Sequence, residues 1–417
     1  MKKAKNVPQL RFSEFDDEWN EIEFGSILEE DLERSEIENE DILLSSAIEG
    51  MFLNSELFGH QRGESNIGYR KLKKNMLVLS AQNLHLGNAN VNLRFEHGLL
   101  SPAYKIYKIN NCNPNLLSAW IKKEETKHFF LMATTEGASG CRKNVVWNDL
   151  YKQHIFLPRS DVEQQKIGTF LSHVDSLIQT KTKKLESLKA VKKSLLQKCF
   201  PKAGQKVPEI RFESNKEWAS INFEDCFSFL SNNSFSRDEL NYEKGYIKSL
   251  HYGDVLIKFG EILNVSTASL PYITQINSPK QYSKSILKNG DIVIADAAED
   301  NTVGKCTEIQ NCTELLTAGL HTIAVRPKIE FAPTFLGFCI NSESFHNQLL
   351  PLIQGTKVSS ISKSAIVDTV IYYPISITEQ QKIGQFFSKY DSLISVQQKE
   401  IDKLKDIKKS LLQKMFV

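Results

Sequence analysis

PRSDVEQQKIGTFLSHVDSLIQTKTKKLESLKAVKKSLLQKCF, residues 158–200, returns as PISITEQQKIGQFFSKYDSLISVQQKEIDKLKDIKKSLLQKMF at residues 374–416, an offset of 216 with 25 of 43 positions identical and no gap. A duplication of this quality organises the whole chain, because repeats of one element imply repeated architecture. Within the first copy the apolar residues Ile167, Leu171, Val174, Ile178, Leu185, Leu188 and Leu195 fall at spacings of four and three. The second copy repeats them as Ile383, Phe387, Tyr390, Ile394, Ile401, Leu404 and Leu411. That period predicts a long helix with a coiled-coil seam in each copy. About 38 residues at about 1.5 Å each give a rod near 57 Å. Two polar seam positions, Lys181 and Gln397, are of the kind that trades stability for register. Each stripe needs an apolar partner, and the nearest equivalent stripe is the other copy, so an intramolecular antiparallel pair with pseudo-two-fold symmetry is expected.

A shorter echo precedes each half. VPQLRF at Val7–Phe12 matches VPEIRF at Val207–Phe212, and Glu18-Trp19 matches Glu217-Trp218. The expected domains are therefore a lead and first body over 1–157, a helix over 158–200, a lead and second body over 201–373, and a second helix over 374–417. The bodies share little identity. Both read as mixed α/β, with strand-like runs at Met76–Ser80, Ala103–Ile109, Asp291–Ala295 and Thr322–Val325, and helical patterns at Asn115–Met132 and Thr334–Gln348. The fold class is thus α+β, with two mixed α/β domains joined by two long antiparallel helices.

A chain of 417 residues exceeds one ordinary core. Its 41% apolar and 24% charged content is that of a globular protein. No apolar run approaches the roughly 18–20 residues of a membrane span, and MKKAKNVPQLRF lacks the apolar stretch of a secretory signal. The expectation is a cytoplasmic protein with no membrane partner. The seven cysteines are scattered and never form C-x-x-C, which points to free thiols and no metal site. A net charge of +2 excludes coating of nucleic acid by bulk charge, so any such binding needs local clusters.

Such clusters exist. Glu21–Asp41 carries ten acids against one arginine, whereas Arg62, Arg70, Lys71, Lys73 and Lys74 gather soon after, with Tyr69 alongside. This basic stretch suits a phosphate backbone; the plainer reading is a solvated lysine-rich face. Near the end of each body comes a glycine-containing polar loop. The first holds Ser139, Arg142 and Lys143; the second holds Thr356, Lys357, Ser359, Ser360 and Lys363. Hydroxyls, amide hydrogens and cations on a glycine-bearing backbone suit phosphate oxygens. Asp296, Glu299, Asn301 and Thr302 beside Lys305 form a polar group able to read base edges. His321 is expected to be structural.

Catalytic motifs do not appear. None of the twelve prolines is followed by a second, so the Asn/Asp-Pro-Pro-aromatic motif of adenine methyltransferases is missing. Gly304-Lys305 has Glu299 where a phosphate-binding loop needs its first glycine and Cys306 where it needs Ser or Thr. No Pro-Asp pair opens a nuclease motif. These readings favour a binding protein over an enzyme.

The doubled EQQKIG, DSLI and KKSLLQK blocks, the leads at Pro158 and Pro374, and the segment from Gly290-Asp-Ile-Val-Ile-Ala-Asp296 to Ala318-Gly-Leu-His-Thr322 resemble the specificity subunit of type I restriction-modification enzymes over essentially the whole chain. The resemblance implies two target recognition domains, each reading half of a split site on double-stranded DNA, with the helices setting the unread spacer. It implies docking to two modification (methyltransferase) subunits that bring S-adenosylmethionine, and to restriction (endonuclease/translocase) subunits that use ATP and Mg. No cofactor would be held by this chain, and the role would be DNA methylation and phage defence. A standalone bipartite DNA-binding regulator and a coiled-coil assembly protein remain the alternatives.

Overall fold

The computed structural model describes residues 6–58, 65–136, 143–202, 204–213, 216–275, 282–355 and 357–417. The two predicted rods are single helices, Asp161–Cys199 and Ile377–Lys414. The chain divides into two compact units, and each division falls inside a helix: one unit is 1–183 with 398–417, the other is 184–397. Each unit therefore owns the first part of one long helix and the last part of the other.

In the first unit, Leu28–Asp31, Tyr104–Ile109, Leu77–Ser80 and Ala89–Val91 form a four-stranded antiparallel sheet in that order. Side chains alternate along a strand, and both faces are used. Leu77 and Leu79 join Phe24, Trp120 and Phe130 in the larger core, while Val78 joins Leu44, Leu72 and Ile106 in a smaller one. The helical pattern at 115–132 is two helices, Pro114–Ile121 and Glu124–Met132. The break follows from competing hydrogen bonds, since the Thr126 hydroxyl donates to Trp120 O and Lys122 turns away to donate to Asn90 Oδ1 and Ile48 O.

The second unit repeats this skeleton with other side chains. Phe227–Leu230, Thr322–Pro327, Ile292–Ala295, Cys306–Gln310 and Ile262–Asn264 form a five-stranded sheet in which only the last pair is parallel. Ile292 and Ile294 face one core with Phe335 and Phe338, and Val293 and Ala295 face another with Leu250 and Leu316. Asn289-Gly290 makes the expected turn, with Gly290 at φ +87°. The pattern at 334–348 is again broken, into Phe335–Ile340 and Glu343–Leu349, because Asn341 Nδ2 donates to Cys306 O and Gly337 O.

Anchoring of the long helices is duplicated residue for residue. In the first unit Arg11 forms a two-pronged pair with Glu163 (2.6 and 2.8 Å), Gln164 accepts from Asn113 N–H, and Trp19 packs edge-on against Phe416. In the second, Arg211 pairs with Glu379 (2.7 and 2.8 Å), Gln380 accepts from Ala332 N–H, and Trp218 packs on Phe200. Gly168 and Gly384 sit where these helices meet their bodies. A Cβ on Gly168 would lie 2.7 Å from Leu116 N, and one on Gly384 would collide with Thr334 Oγ1.

Pairing of the helices is antiparallel within each unit. Asp175 meets Lys408 (2.5 Å) and Lys181 meets Glu400 (2.6 Å) in the first, and Lys192 meets Asp391 (2.5 Å) in the second, so numbers fall on one helix as they rise on the other. The seam residues divide by depth. Ile167, Leu171, Ile383 and Phe387 are buried in the cores of the bodies, and Leu185 and Ile401 are buried along the rods. Val174, Ile178, Leu188, Leu195, Tyr390, Ile394, Leu404 and Leu411 are half-buried. The polar seam position Lys181 is thus answered by a carboxylate, and Gln397 is buried.

Candidate functional site

In the second body the loops singled out separately from sequence come together. The strand Ile292–Ala295 continues into Asp296 and a two-residue strand, Ala297–Ala298, which pairs with Ser359–Ser360. Asp296 O accepts from Ile361 N–H (2.9 Å), and Asp296 N–H donates to His321 O (3.1 Å). Backbone bonds thus lay the Asp296 segment, the Ser359–Ile361 segment and the Gly319-Leu-His-Thr segment side by side.

The side chains on this surface have distinct environments. His321 adopts φ +55°, a region that non-glycine residues enter infrequently. Its ring is half-exposed, places Nδ1 3.4 Å from Asp296 Oδ1, and stands edge-on to Tyr252 at 5.3 Å. Burial pushes the Asp296 carboxyl up, against the pull of His321 and Lys363. Lys357, Ser360 and Lys363 are exposed and Ser359 is half-buried. Glu299, Asn301 and Thr302 are exposed, but the Thr302 hydroxyl is committed to Asp300 (2.5 Å) and Asn301 O accepts from His346 (3.0 Å). Lys305 does not join them. Its ammonium turns inward to Leu256 O (2.8 Å), and burial lowers its pKa, so the expected outward cation is a half-buried strut.

The basic stretch of the first body also differs from expectation. The acidic segment runs alongside it, with Lys71 N–H donating to Glu33 O. Lys71 pairs with Glu40, Lys73 with Glu33 (3.1 Å) and Lys74 with Glu96 (2.5 Å), so neighbouring carboxylates cancel much of their charge. Arg70 is only 8% exposed, with its guanidinium near Asp31 O and Glu30, which withdraws it from any phosphate. Tyr69 instead lines a depression of about 660 Å³ with Ser45, Ser46, Asn54, Asn83 and Tyr104. Lys143 is half-buried on a strand paired antiparallel with that of Glu136. Arg62, Ser139, Arg142 and Thr356 lie outside the described residues.

His321 reads as structural from the sequence, which does not single out Tyr252; the fold brings both to this surface. A lone histidine entering a strand looks structural, and Tyr252 lies far away in sequence; only the left-handed backbone at His321, invisible in a sequence, marks the position. The equivalent point of the first body is Ala103. There Ala81 N–H donates to Ala103 O (3.3 Å), the same bond that joins Asp296 to His321, and Ala103 and Tyr104 line the depression described above.

Comparison with known proteins adds to this geometry. Residues 215–406 match the family model described as the type I restriction modification DNA specificity domain. The type I restriction enzyme MjaVIII specificity subunit of Methanocaldococcus jannaschii is 27% identical over 272 residues, which is 62% of this chain and 61% of that one. The chain therefore matches about three fifths of the length of this curated relative. A second relative from the same organism, the putative MjaX specificity subunit, is 25% identical over 36% of each chain. Among solved structures, the S subunit of a type I restriction-modification system from M. genitalium aligns over 99% of both chains at a TM-score of 0.58 and 14% identity. A chain from a study of type I R-M complex assembly aligns over 95% of this chain and 97% of its own at 0.53. At 14% identity, both likenesses speak for the fold.

Proposed function

We propose, from the match of residues 215–406 to the type I restriction modification DNA specificity domain, that the chain is the non-catalytic DNA-recognition subunit of such a complex. Each body reads one half of a bipartite site, and the helix pair sets the unread spacer. One observation carries this reading: two bodies share a strand skeleton and a duplicated anchoring to the helices, yet differ where their loops emerge. A common frame with different exposed groups is what two readers of different half-sites need.

In the second body, Lys357, Ser359, Ser360 and Lys363 provide cations and hydroxyls for phosphate oxygens, which fix position without carrying sequence. Glu299 and Asn301 provide an acceptor and an amide group for base edges, with Asp296 and Thr302 beside them. In the first body, Tyr69 and Lys143 occupy the corresponding role, since Lys71, Lys73 and Lys74 are paired with carboxylates. S-adenosylmethionine chemistry belongs to two docked modification subunits, and ATP and Mg to restriction subunits beyond them. The working place is the cytoplasm; no helix among the described residues is long and apolar enough to cross a membrane.

Affinity purification of the tagged full-length chain from its host tests the assembly. A methyltransferase is expected to co-purify, and the complex should bind duplex DNA with an affinity that falls steeply as salt rises. Purification without a methyltransferase but with sequence-specific DNA binding would favour a standalone regulator. Failure to bind DNA in either state would leave an assembly protein.

A further inference from the structure

The chain contains its own control for what His321 does. The bond that joins the end of the central strand to the segment entering its neighbour is made in both bodies: Asp296 N–H to His321 O in the second, Ala81 N–H to Ala103 O in the first. In the first body two alanines suffice for it. The imidazole and the carboxylate are therefore not needed to build the skeleton, and their presence in the second body asks for another explanation.

Local geometry supplies one. His321 is held in the left-handed region, an arrangement that persists only where the surroundings over-determine it. Those surroundings are Gly319, where a Cβ would come within 2.9 Å of Leu250 O, and the Tyr252 ring edge-on to the imidazole. The Asp296 carboxylate faces Nδ1, and among the described residues no hydrogen bond reaches Nε2. His321 is half-exposed on the same surface as Ser360 and Lys363. With Asp296 Oδ1 3.4 Å from Nδ1, a ring that carries its proton on Nδ1 has Nε2 available as an acceptor.

We infer that His321 is a specificity-determining residue of the second body, its Nε2 accepting a hydrogen bond from an exocyclic amino group on a base edge, with Asp296 and Tyr252 as positioning residues. In the major groove such a group is carried by adenine and by cytosine, whereas guanine offers only acceptors on its own edge and thymine an acceptor and a methyl group. The inference rests on the DNA-recognition reading above and sharpens it to one base position.

The test is selection of bound sequences from a random duplex pool at pH 8, using the full chain with its modification subunits. The variants are His321→Gly, which keeps the left-handed backbone without strain, and Asp296→Ala. Wild type is expected to enrich one base pair at one position of one half-site, A·T if adenine N6 is the donor and G·C if cytosine N4 is. Both variants should lose about ten-fold of that enrichment, the size of one base-edge contact, while the other half-site and the binding of unrelated DNA at low salt stay unchanged. Thermal denaturation of each variant checks folding, and His321→Asn, which tolerates the same backbone, provides a second folded variant. Unchanged base preference in folded variants that still bind DNA would overturn the role of His321 and leave DNA recognition standing. Absence of DNA binding by wild type would overturn the recognition reading itself.

Discussion

Arg11 and Glu163 keep 9% and 1% of their side-chain surfaces in contact with solvent, and Arg211 and Glu379 keep 9% and 2%. Removing one partner of such a pair leaves a buried charge without compensation. Arg11→Ala or Arg211→Ala should each lower stability by about 3–5 kcal/mol in chemical denaturation, whereas replacing both partners with methionine should cost far less. Lys122 offers a pH readout. Burial, then repulsion from Lys408, lowers its pKa to about 8. Between that value and the usual lysine range near 10.5, the unfolded chain binds a proton that the folded chain does not, so this group makes stability rise with pH across that window. Measured unfolding of wild type against Lys122→Met should diverge in favour of wild type from pH 8 to pH 10; parallel curves would refute the assignment. Lys357→Ala should weaken binding to all DNA sequences about equally in salt-titrated binding assays, since phosphate contacts carry no sequence information.

The two helices show both the reach and the limit of pattern reading. Spacings of four and three residues are visible in any sequence, and the helices Asp161–Cys199 and Ile377–Lys414 follow them. What an apolar stripe does not state is its partner. Ile167, Leu171, Ile383 and Phe387 belong to the cores of the bodies, because the doubled Gly168 and Gly384 let those turns approach the body backbone closely. Charge segregation in the first body was equally visible, but only strand pairing reveals that Glu33 and Glu40 lie against Lys73 and Lys71. Lys305 was misread for a related reason: a lysine beside a polar loop looks exposed until the fold supplies Leu256 O for its ammonium. A matched seven-residue deletion, Ile178–Lys184 with Ile394–Glu400, keeps the seam periodicity in both helices. It is expected to shorten the unread spacer by about three base pairs at roughly 3.4 Å per pair, from about 10.5 Å of helix removed, while both half-sites stay the same. Selection from random DNA with an unchanged spacer would rule out a ruler role.

At the level of the whole chain, duplication has been spent unevenly. Identity is kept in the helices and in their anchors, Arg11 with Glu163 and Arg211 with Glu379, where geometry must be shared. The bodies retain the order of their first three sheet strands and the broken helix pair that follows, but not the residues at the loops. The central claim is that the two bodies read DNA independently from one frame. Its most direct measurement is the sequence motif selected from random duplex DNA by the assembled complex, before and after residues 218–373 are replaced by the corresponding body of a type I specificity subunit. The account predicts a bipartite motif with two unrelated halves around an unread gap, of which the exchange alters one half and leaves the other intact. A single continuous motif, or an exchange that changes both halves together, would contradict it.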